Sequence, residues 1–267
     1  MLYDTGGYPD NYTPDECFLA ARRYNQNLVL YTMSQCVQGG AVVGHHIGLV
    51  IIFWCCYNFI KLNIISASSV TLAVVVLSAL GYLVIIVKQD NVVQRLLYGI
   101  KTSVLFMMTG YSVSPVLYTL TDSISTDSLH TMASTSFMLH LLTTDYGVPA
   151  PVVSWQFSLN AAVFSSVCLA SRFHDTMSAF SLLCLSLFCF LLLPLSRQHL
   201  VTCPISWSVV TSVTCLLLLS LISVSHTLLA LVTLVTVQLI CPLIFYHLQS
   251  YKQTIHGPWD EATPADT

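Results

Sequence analysis

Residues 41–60 read AVVGHHIGLVIIFWCCYNFI, twenty consecutive positions without an aspartate, glutamate, lysine or arginine. A bilayer core of about 30 Å is crossed by about 20 apolar residues in a helix. This stretch is therefore read as a membrane span, and the same template recurs along the chain. Seven further candidates follow at 64–87, 102–120, 128–144, 152–170, 176–195, 205–223 and 226–247. The third and fourth are the most polar of the set. Several connections are very short, which favours antiparallel neighbours. The expected fold is all-α: a polytopic integral membrane bundle of about eight transmembrane helices over residues 41–248. A cytosolic or interfacial segment precedes it at 1–40, and a cytosolic tail follows at 249–267.

Composition agrees. Of 267 residues, 55% are hydrophobic and 8% charged, and the mean hydropathy is +0.75. A soluble domain carries about a quarter charged residues, so a surface this poor in charge needs lipid as its solvent. The net charge of −3 argues against a nucleic-acid footprint. The first residues, MLYDTGGYPDNY, lack a basic-then-apolar start, so insertion is expected to be directed by the first span. The ten cysteines form no CxxC pair and fall mostly in apolar runs, which reads as buried thiols behaving as small hydrophobes.

Orientation follows the basic residues. With eight spans and a cytosolic N-terminus, the cytosolic side holds Arg22, Arg23, Lys88, Arg95, Lys101, Arg197 and Lys252, and the opposite side only Lys61 and Arg172. Seven against two places both termini in the cytosol.

Two segments have the spacing of helix-packing surfaces. Gly40, Gly44 and Gly48 recur every fourth residue, a doubled GxxxG. Ser158, Ala162, Ser166 and Ala170 form a small-residue ridge in the fifth span. Small residues let backbones approach closely, where van der Waals contact drives association in lipid.

The most polar internal stretch runs from Ser114 through Pro115, Thr121, Asp122 and Asp127 to Ser128. Two carboxylates could form an acid/base pair. A five-residue separation, however, does not put them on one helical face. Hydroxyls with aspartate also make turns and N-caps, with Ser125 or Thr126 as cap and Asp127 beside the next helix N-terminus. The stretch is read as a structural joint or subunit contact, and Pro115 as the residue that interrupts a span. His45 and His46 are adjacent, about 100° apart on a helix. No HxxxH or HExxH occurs, so no metal site and no cofactor is expected. Asn160, inside the fifth span, is expected to hydrogen-bond across to a neighbouring helix. Asp145, in a Gly/Pro turn with Gly147, Pro149 and Pro151, is placed against headgroups or a partner. In the tail, His256, Pro258 and Trp259 read as a docking element at the cytosolic interface or as a headgroup belt.

No Gly-rich phosphate loop, GxSxG motif or soluble α/β segment is present, so a nucleotide-sugar donor finds no obvious pocket. Three classes remain open: a non-catalytic membrane subunit, a polytopic enzyme using Asp122 or Asp127, and a small-molecule transporter. The last is disfavoured, because transporter folds usually show internal repeats and paired broken helices, and neither is evident here.

A set of motifs then resembles the PIG-C family, a membrane component of the phosphatidylinositol N-acetylglucosaminyltransferase (GPI-GlcNAc transferase) complex. They are Pro9-Asp-Asn-Tyr12, Ser114-Pro-Val-Leu, Thr119-Leu-Thr-Asp-Ser-Ile-Ser-Thr-Asp127, Asp145-Tyr-Gly147, Ser158-Leu-Asn-Ala, Ser166-Val-Cys-Leu-Ala-Ser-Arg172 and Ile255-His-Gly-Pro-Trp-Asp-Glu-Ala262. They run in the same order over nearly the whole chain, with an N-terminus shorter than is usual in the family. The resemblance implies an endoplasmic reticulum subunit in the first step of GPI-anchor synthesis. Its partners would be a separate catalytic glycosyltransferase subunit and other membrane subunits, with phosphatidylinositol as a further ligand. No catalytic residue is carried over.

Overall fold

In the computed structural model, the residues described are 7, 20, 22–25, 28–86, 92–147, 153–200 and 204–257, without the side chains of 84 and 197–200. Among them the chain forms eight helical rods. They are α1 (Met33–Lys61), α2 (Ala67–Ile86), α3 (Val92–Thr121), α4 (Thr126–Thr143), α5 (Trp155–Ala170), α6 (Thr176–Leu187, continuing through Phe188–Leu192 to Leu193–Leu200), α7 (Pro204–Ser220) and α8 (Val224–Val235, continuing through Thr236–Ile240 to Cys241–Leu248). Two short strands, β1 (Arg23–Tyr24) and β2 (Ile255–His256), pair antiparallel.

Local chemistry sets the helix ends. Helix α1 begins at Met33 rather than near Ala41, because Thr32 and Gln35 make a reciprocal capping box. The Thr32 hydroxyl accepts from Gln35 N–H (3.4 Å) and the Gln35 carboxamide oxygen accepts from Thr32 N–H (2.9 Å). Such a box satisfies two of the amide donors that a helix start leaves open. The short loop to α2 turns on Asn63, at φ +54°, an αL position that asparagine tolerates.

Prolines act differently from the sequence expectation. Pro115 does not interrupt its span: α3 continues through it to Thr121. The breaks come instead at two π turns, Phe188–Leu192 in α6 and Thr236–Ile240 in α8, just before Pro194 and Pro242. A proline ring crowds the carbonyl four residues back. Those carbonyls belong to Phe190 and Gln238, inside the π turns, and the wider turn relieves the crowding.

Helices α1 and α6 lie at the centre. Leu49, Phe53, Tyr57 and Ile60 of α1 share one buried cluster with Leu129, Ala133 and Phe137 of α4, Ala162 and Leu169 of α5, and Leu182, Cys189 and Phe190 of α6. Its middle is a three-ring contact, with Phe53, Phe137 and Phe190 centroids 5.5 to 5.7 Å apart. Helix α3 sits at the edge and buries only Ser114 and Leu117 among its described side chains. Cys36, Cys55, Cys168, Cys184, Cys189 and Cys215 are buried free thiols, whereas Cys241 is exposed.

The outer surface is apolar: Leu228, Val232, Leu239 and Leu243 of α8, and Leu97, Leu105 and Met108 of α3, all point outward. Helices α1, α3, α6 and α8 are each long and apolar enough to cross a membrane, while α2, α5 and α7 are apolar but shorter.

Candidate functional site

The polar side chains gather in four places. The first is a buried layer in the half of the bundle that carries both chain ends. Gly40 and Gly44 face the π turn of α8. A Cβ on Gly40 would lie 2.6 Å from Pro242 Cγ and 2.8 Å from the Val237 carbonyl, and one on Gly44 would strike the Gln238 side chain. Gly48 faces Thr211 of α7 in ordinary contact, 3.6 Å. The glycines thus admit Gln238, whose carboxamide donates to Ser212 Oγ of α7 (2.8 Å).

From α7 the layer runs inward through imidazoles. His45 Nδ1 meets Thr211 Oγ1 at 3.2 Å, and its ring lies between Trp207 and His46. The His46 ring packs edge-on against Tyr146 and beside His140. His45, His46 and His140 are exposed by 1%, 4% and 3%, so bulk solvent reaches none of them. His140 Nδ1–H donates to the Ser158 carbonyl (3.0 Å), with Ser158 Oγ 2.8 Å from the same nitrogen. Thr144 Oγ1 lies 2.8 Å from Ser158 Oγ and donates to the His140 carbonyl (2.6 Å). With its proton on Nδ1, His140 keeps a bare acceptor at Nε2, which finds no hydrogen-bond partner among the described residues. Among the described residues no group of three or more His, Cys, Asp or Glu could hold a metal. The layer ties five helices together: hydrogen bonds join α8 to α7, α7 to α1 and α4 to α5, and the His46–His140 ring contact bridges the two sets.

The ridge on α5 belongs to the same packing. Ser158, Ala162, Ser166 and Ala170 are all buried. Ser166 Oγ bonds Ser186 Oγ of α6 (2.6 Å), and Ser165 Oγ donates to the Ala133 carbonyl of α4 (3.0 Å). Asn160 departs from the expectation: it is exposed and makes no hydrogen bond among the described residues. Its position on α5 turns it away from α4 and α6, the helices that hold the ridge.

The second place is the joint between α3 and α4. Ser114 and Pro115 lie inside α3; Ser114 is buried, its hydroxyl donating to the Gly110 carbonyl (2.8 Å). The turn proper is Asp122–Ser125. Ser125 caps α4 through Ser128 N–H (3.2 Å), and Asp127 stands in the first turn. Arg172, in the loop after α5, clamps the joint. It donates from Nη2 to the Thr121 carbonyl (2.7 Å) and hydroxyl (2.9 Å), and from Nη1 to the Ile124 carbonyl (3.3 Å). A cation at the open carbonyls of a helix C-terminus is favourable twice over. Asp122 and Asp127 are both exposed. Asp175 caps α6, accepting from Ser178 Oγ (2.9 Å) and N–H (3.0 Å), which holds its carboxyl below the ordinary carboxylate value.

The third place is a clasp between the two ends of the chain. Arg23 pairs with His256 and Tyr24 with Ile255. Asn25 N–H donates to the Thr254 carbonyl (2.7 Å), and Thr254 N–H to Asn25 Oδ1 (3.1 Å). Gln249 takes both backbone groups of Tyr31 (2.5 and 3.0 Å), and Lys252 Nζ donates to the Val29 carbonyl (3.0 Å). The tail through His256 docks on the chain's own N-terminal segment. Pro258 and Trp259 lie outside the described residues. Asp145 is exposed and closes its turn by accepting from Gly147 N–H (2.7 Å), with Gly147 at φ +89°.

The fourth place, not singled out by sequence, is an open cleft of about 400 Å³ lined by Tyr82 of α2 and Gln94, Arg95 and Tyr98 of α3. The Tyr82 hydroxyl donates to the Arg95 carbonyl (2.8 Å), and Gly99 leaves room for its ring. Among the described residues no carboxylate pairs with Arg95. The signal was available: Arg95, Tyr98 and Lys101 share the segment just ahead of the apolar run at 102–120.

Eight helices among the described residues, four of them long and apolar enough to cross a membrane, around an internal hydroxyl–imidazole lock define a multi-pass membrane protein. Residues 1–260 match the family described as "GPI2: Phosphatidylinositol N-acetylglucosaminyltransferase". The chain is 34% identical over 273 residues to the C subunit of phosphatidylinositol N-acetylglucosaminyltransferase from Bos taurus, covering 98% of this chain and 91% of that protein. It is 34% identical to the putative C subunit from Dictyostelium discoideum, covering 98% and 78%. With the GPI2 subunit of Schizosaccharomyces pombe the identity is 29%, covering 99% and 86%. No solved structure matches. The chain belongs to the GPI2 (PIG-C) family of phosphatidylinositol N-acetylglucosaminyltransferase subunits.

Proposed function

We propose that this chain is a non-catalytic membrane subunit of the complex that transfers N-acetylglucosamine from UDP-N-acetylglucosamine to phosphatidylinositol, the first step of GPI-anchor synthesis. The observation that carries this reading is the similarity to named C subunits over 98% of the chain. In this reading the protein resides in the endoplasmic reticulum membrane with eight spans and both termini cytosolic. The charge bias of seven basic residues against two supports that orientation. The buried lock makes the bundle a rigid scaffold for a separate catalytic subunit and further membrane subunits.

Presentation of the lipid acceptor is the second task. Helix α3 has 30 residues, about 45 Å of helix against a hydrocarbon core of about 30 Å. With Thr121 held at the Arg172 end, its first turns reach the opposite headgroup layer, on the side of the chain termini. Arg95 would meet the lipid phosphate, and Gln94 with the tyrosine hydroxyls the inositol.

Affinity purification of the tagged chain in mild detergent, with a sugar-transfer assay of the eluate, tests the proposal. The expected result is transfer by the assembled complex and none by the chain alone. Transfer by the lone polypeptide overturns the non-catalytic role. In the complex, Arg95→Gln should raise KM for phosphatidylinositol about tenfold and leave KM for the sugar donor unchanged. An unchanged lipid KM removes the cleft from the proposal without touching the subunit reading.

A further inference from the structure

Helix α5 has two faces of opposite character. Inward, Ser158, Ser165 and Ser166 are buried and bonded to α4 and α6. Outward, Gln156 and Asn160 stand one turn apart and exposed, flanked by Phe157 and Phe164, which are 48% and 46% exposed. Neither carboxamide makes a hydrogen bond among the described residues. Each offers two donors and an accepting oxygen.

Their own helix does not absorb them. Elsewhere it can: Asn58 of α1 turns its amide back to the Trp54 carbonyl (2.8 Å). Asn160 does not take that option. Depth adds to the demand. Helix α5 has 16 residues, about 24 Å, less than the hydrocarbon thickness of about 30 Å. Its second turn therefore lies within the apolar layer, where acyl chains offer no partner and an unmade amide bond is costly. The neighbouring α4 also turns outward a stripe at helical spacing, Thr131, Thr135, Met138 and Leu142. Its hydroxyls are already committed to the carbonyls of Asp127 and Thr131.

We propose that the outward face of α5 docks a transmembrane helix of another subunit, with Asn160 as the hydrogen-bonding anchor and Phe157 and Phe164 as the apolar contacts on either side. The partner helix is one that presents a hydroxyl or carboxamide at the level of Asn160. Carboxamides are used in this way between helices in lipid, where the unpaired alternative is poor. Small residues fill the inner face of α5 and leave the outer face free for a second neighbour. This inference rests on the reading of the chain as one subunit among several.

The test uses the tagged full-length chain in its complex. Asn160→Leu should lower co-purification of the other membrane subunits roughly five- to thirtyfold. The same change should leave the thermal stability of the isolated chain in detergent unchanged or higher, because it removes a polar group from a lipid face. A photo-crosslinking residue at Phe164 should join the chain to a different polypeptide. Asn160→Gln, which keeps the carboxamide, should retain more of the partner than Asn160→Leu. Unchanged co-purification, a crosslink to a second copy of this chain, or a crosslink to lipid alone overturns the proposal. Wild-type chain that brings down no other membrane protein overturns the subunit reading itself, and this inference with it.

Discussion

The two ends of the bundle hold their polar groups in opposite ways. In the half that carries the termini, imidazoles and hydroxyls are buried between helices, with Gln238 half-buried beside them, and the main bonds cross from one element to another. At the far end the charged groups, Asp122, Asp127 and Asp175, sit exposed beside helix ends that they or their neighbours cap. Buried polar groups have no water to fall back on, so removing one strands its partner. Exposed ones exchange a cap for solvent at little cost. The termini half should therefore be brittle and the far end tolerant.

The largest effect tests the brittle half at its closest approach. Gly44→Leu places a side chain where Gln238 lies. The π turn of α8 must then move away from α1, and overpacking of this kind costs about 3 kcal/mol or more. The expected outcome is loss of the monodisperse species on size-exclusion chromatography in mild detergent. A Gly44→Leu chain that elutes and melts like the wild type would show that α1 and α8 do not pack as described.

His140→Leu comes next. It roughly keeps the volume of the side chain and removes the imidazole bonds to Ser158, leaving the Ser158 hydroxyl with Thr144 and the backbone carbonyl of residue 140. The loss should be about 1–3 kcal/mol, read as a lower melting temperature of the purified chain. Ser158→Ala should cost less than His140→Leu, and the double substitution less than the sum of the two, since both break one network.

At the far end, Arg172→Met retains an unbranched side chain and removes the clamp on Thr121 and Ile124. Those carbonyls lie near solvent, so the expected loss is about 1 kcal/mol. The variant should still assemble. If Arg172→Met destabilises the chain more than His140→Leu, the contrast between the two ends is wrong.

The same contrast separates what is legible in the sequence from what is not. All eight helices among the described residues are legible, because long apolar runs are a local signal, although only four of them are long and apolar enough to cross a membrane. Helix starts escape hydropathy where a cap decides them, as at Thr32 and Gln35. Proline is ambiguous because its effect depends on the surroundings. Pro115 is absorbed into α3, while Pro194 and Pro242 each follow a π turn. The glycines of α1 announce a close approach, but nothing local names Gln238 as the group they admit. The clamp of Arg172 on Thr121, and the hold of Gln249 on Tyr31, join residues far apart in sequence, and no periodicity encodes such pairs. Asn160 is visibly polar, and an internal partner is the simplest expectation for it. Its helical phase relative to Ser158 and Ala162, which places it off the ridge, carries the opposite message.

A smaller effect concerns Asp175. The Ser178 hydroxyl, with the Ser178 amide, holds its carboxyl below the ordinary value of 3.8. A group whose folded value is lowered stabilises the fold above its unfolded value and loses that contribution as the pH falls through the folded one. The cap on α6 should be intact at neutral pH and fade only below about pH 4. Because Asp175 is exposed, solvent screening limits this contribution to a few tenths of a kcal/mol. Comparing the melting temperature of wild type and Asp175→Asn from neutral pH down to well below about pH 4 should show two curves that converge at the acid end. Curves that diverge there would mean that Asp175 is protonated in the native cap.

The smallest expected effect is the sharpest test of the enzymatic alternative. Asp122 and Asp127 are both exposed, one in the α3–α4 turn and one in the first turn of α4. Asp127 gains only from its place near a helix N-terminus, a few tenths of a kcal/mol at an exposed site. Replacing both with asparagine keeps their size and hydrogen-bonding oxygens and removes both charges. Stability should change by no more than a few tenths of a kcal/mol, and sugar transfer by the assembled complex should be unchanged. Under the proposed orientation these carboxylates stand across the membrane from the transfer reaction, so position as well as separation argues against a chemical role for them. Loss of transfer with assembly intact would assign the far end a catalytic function and reverse the orientation drawn from the basic residues.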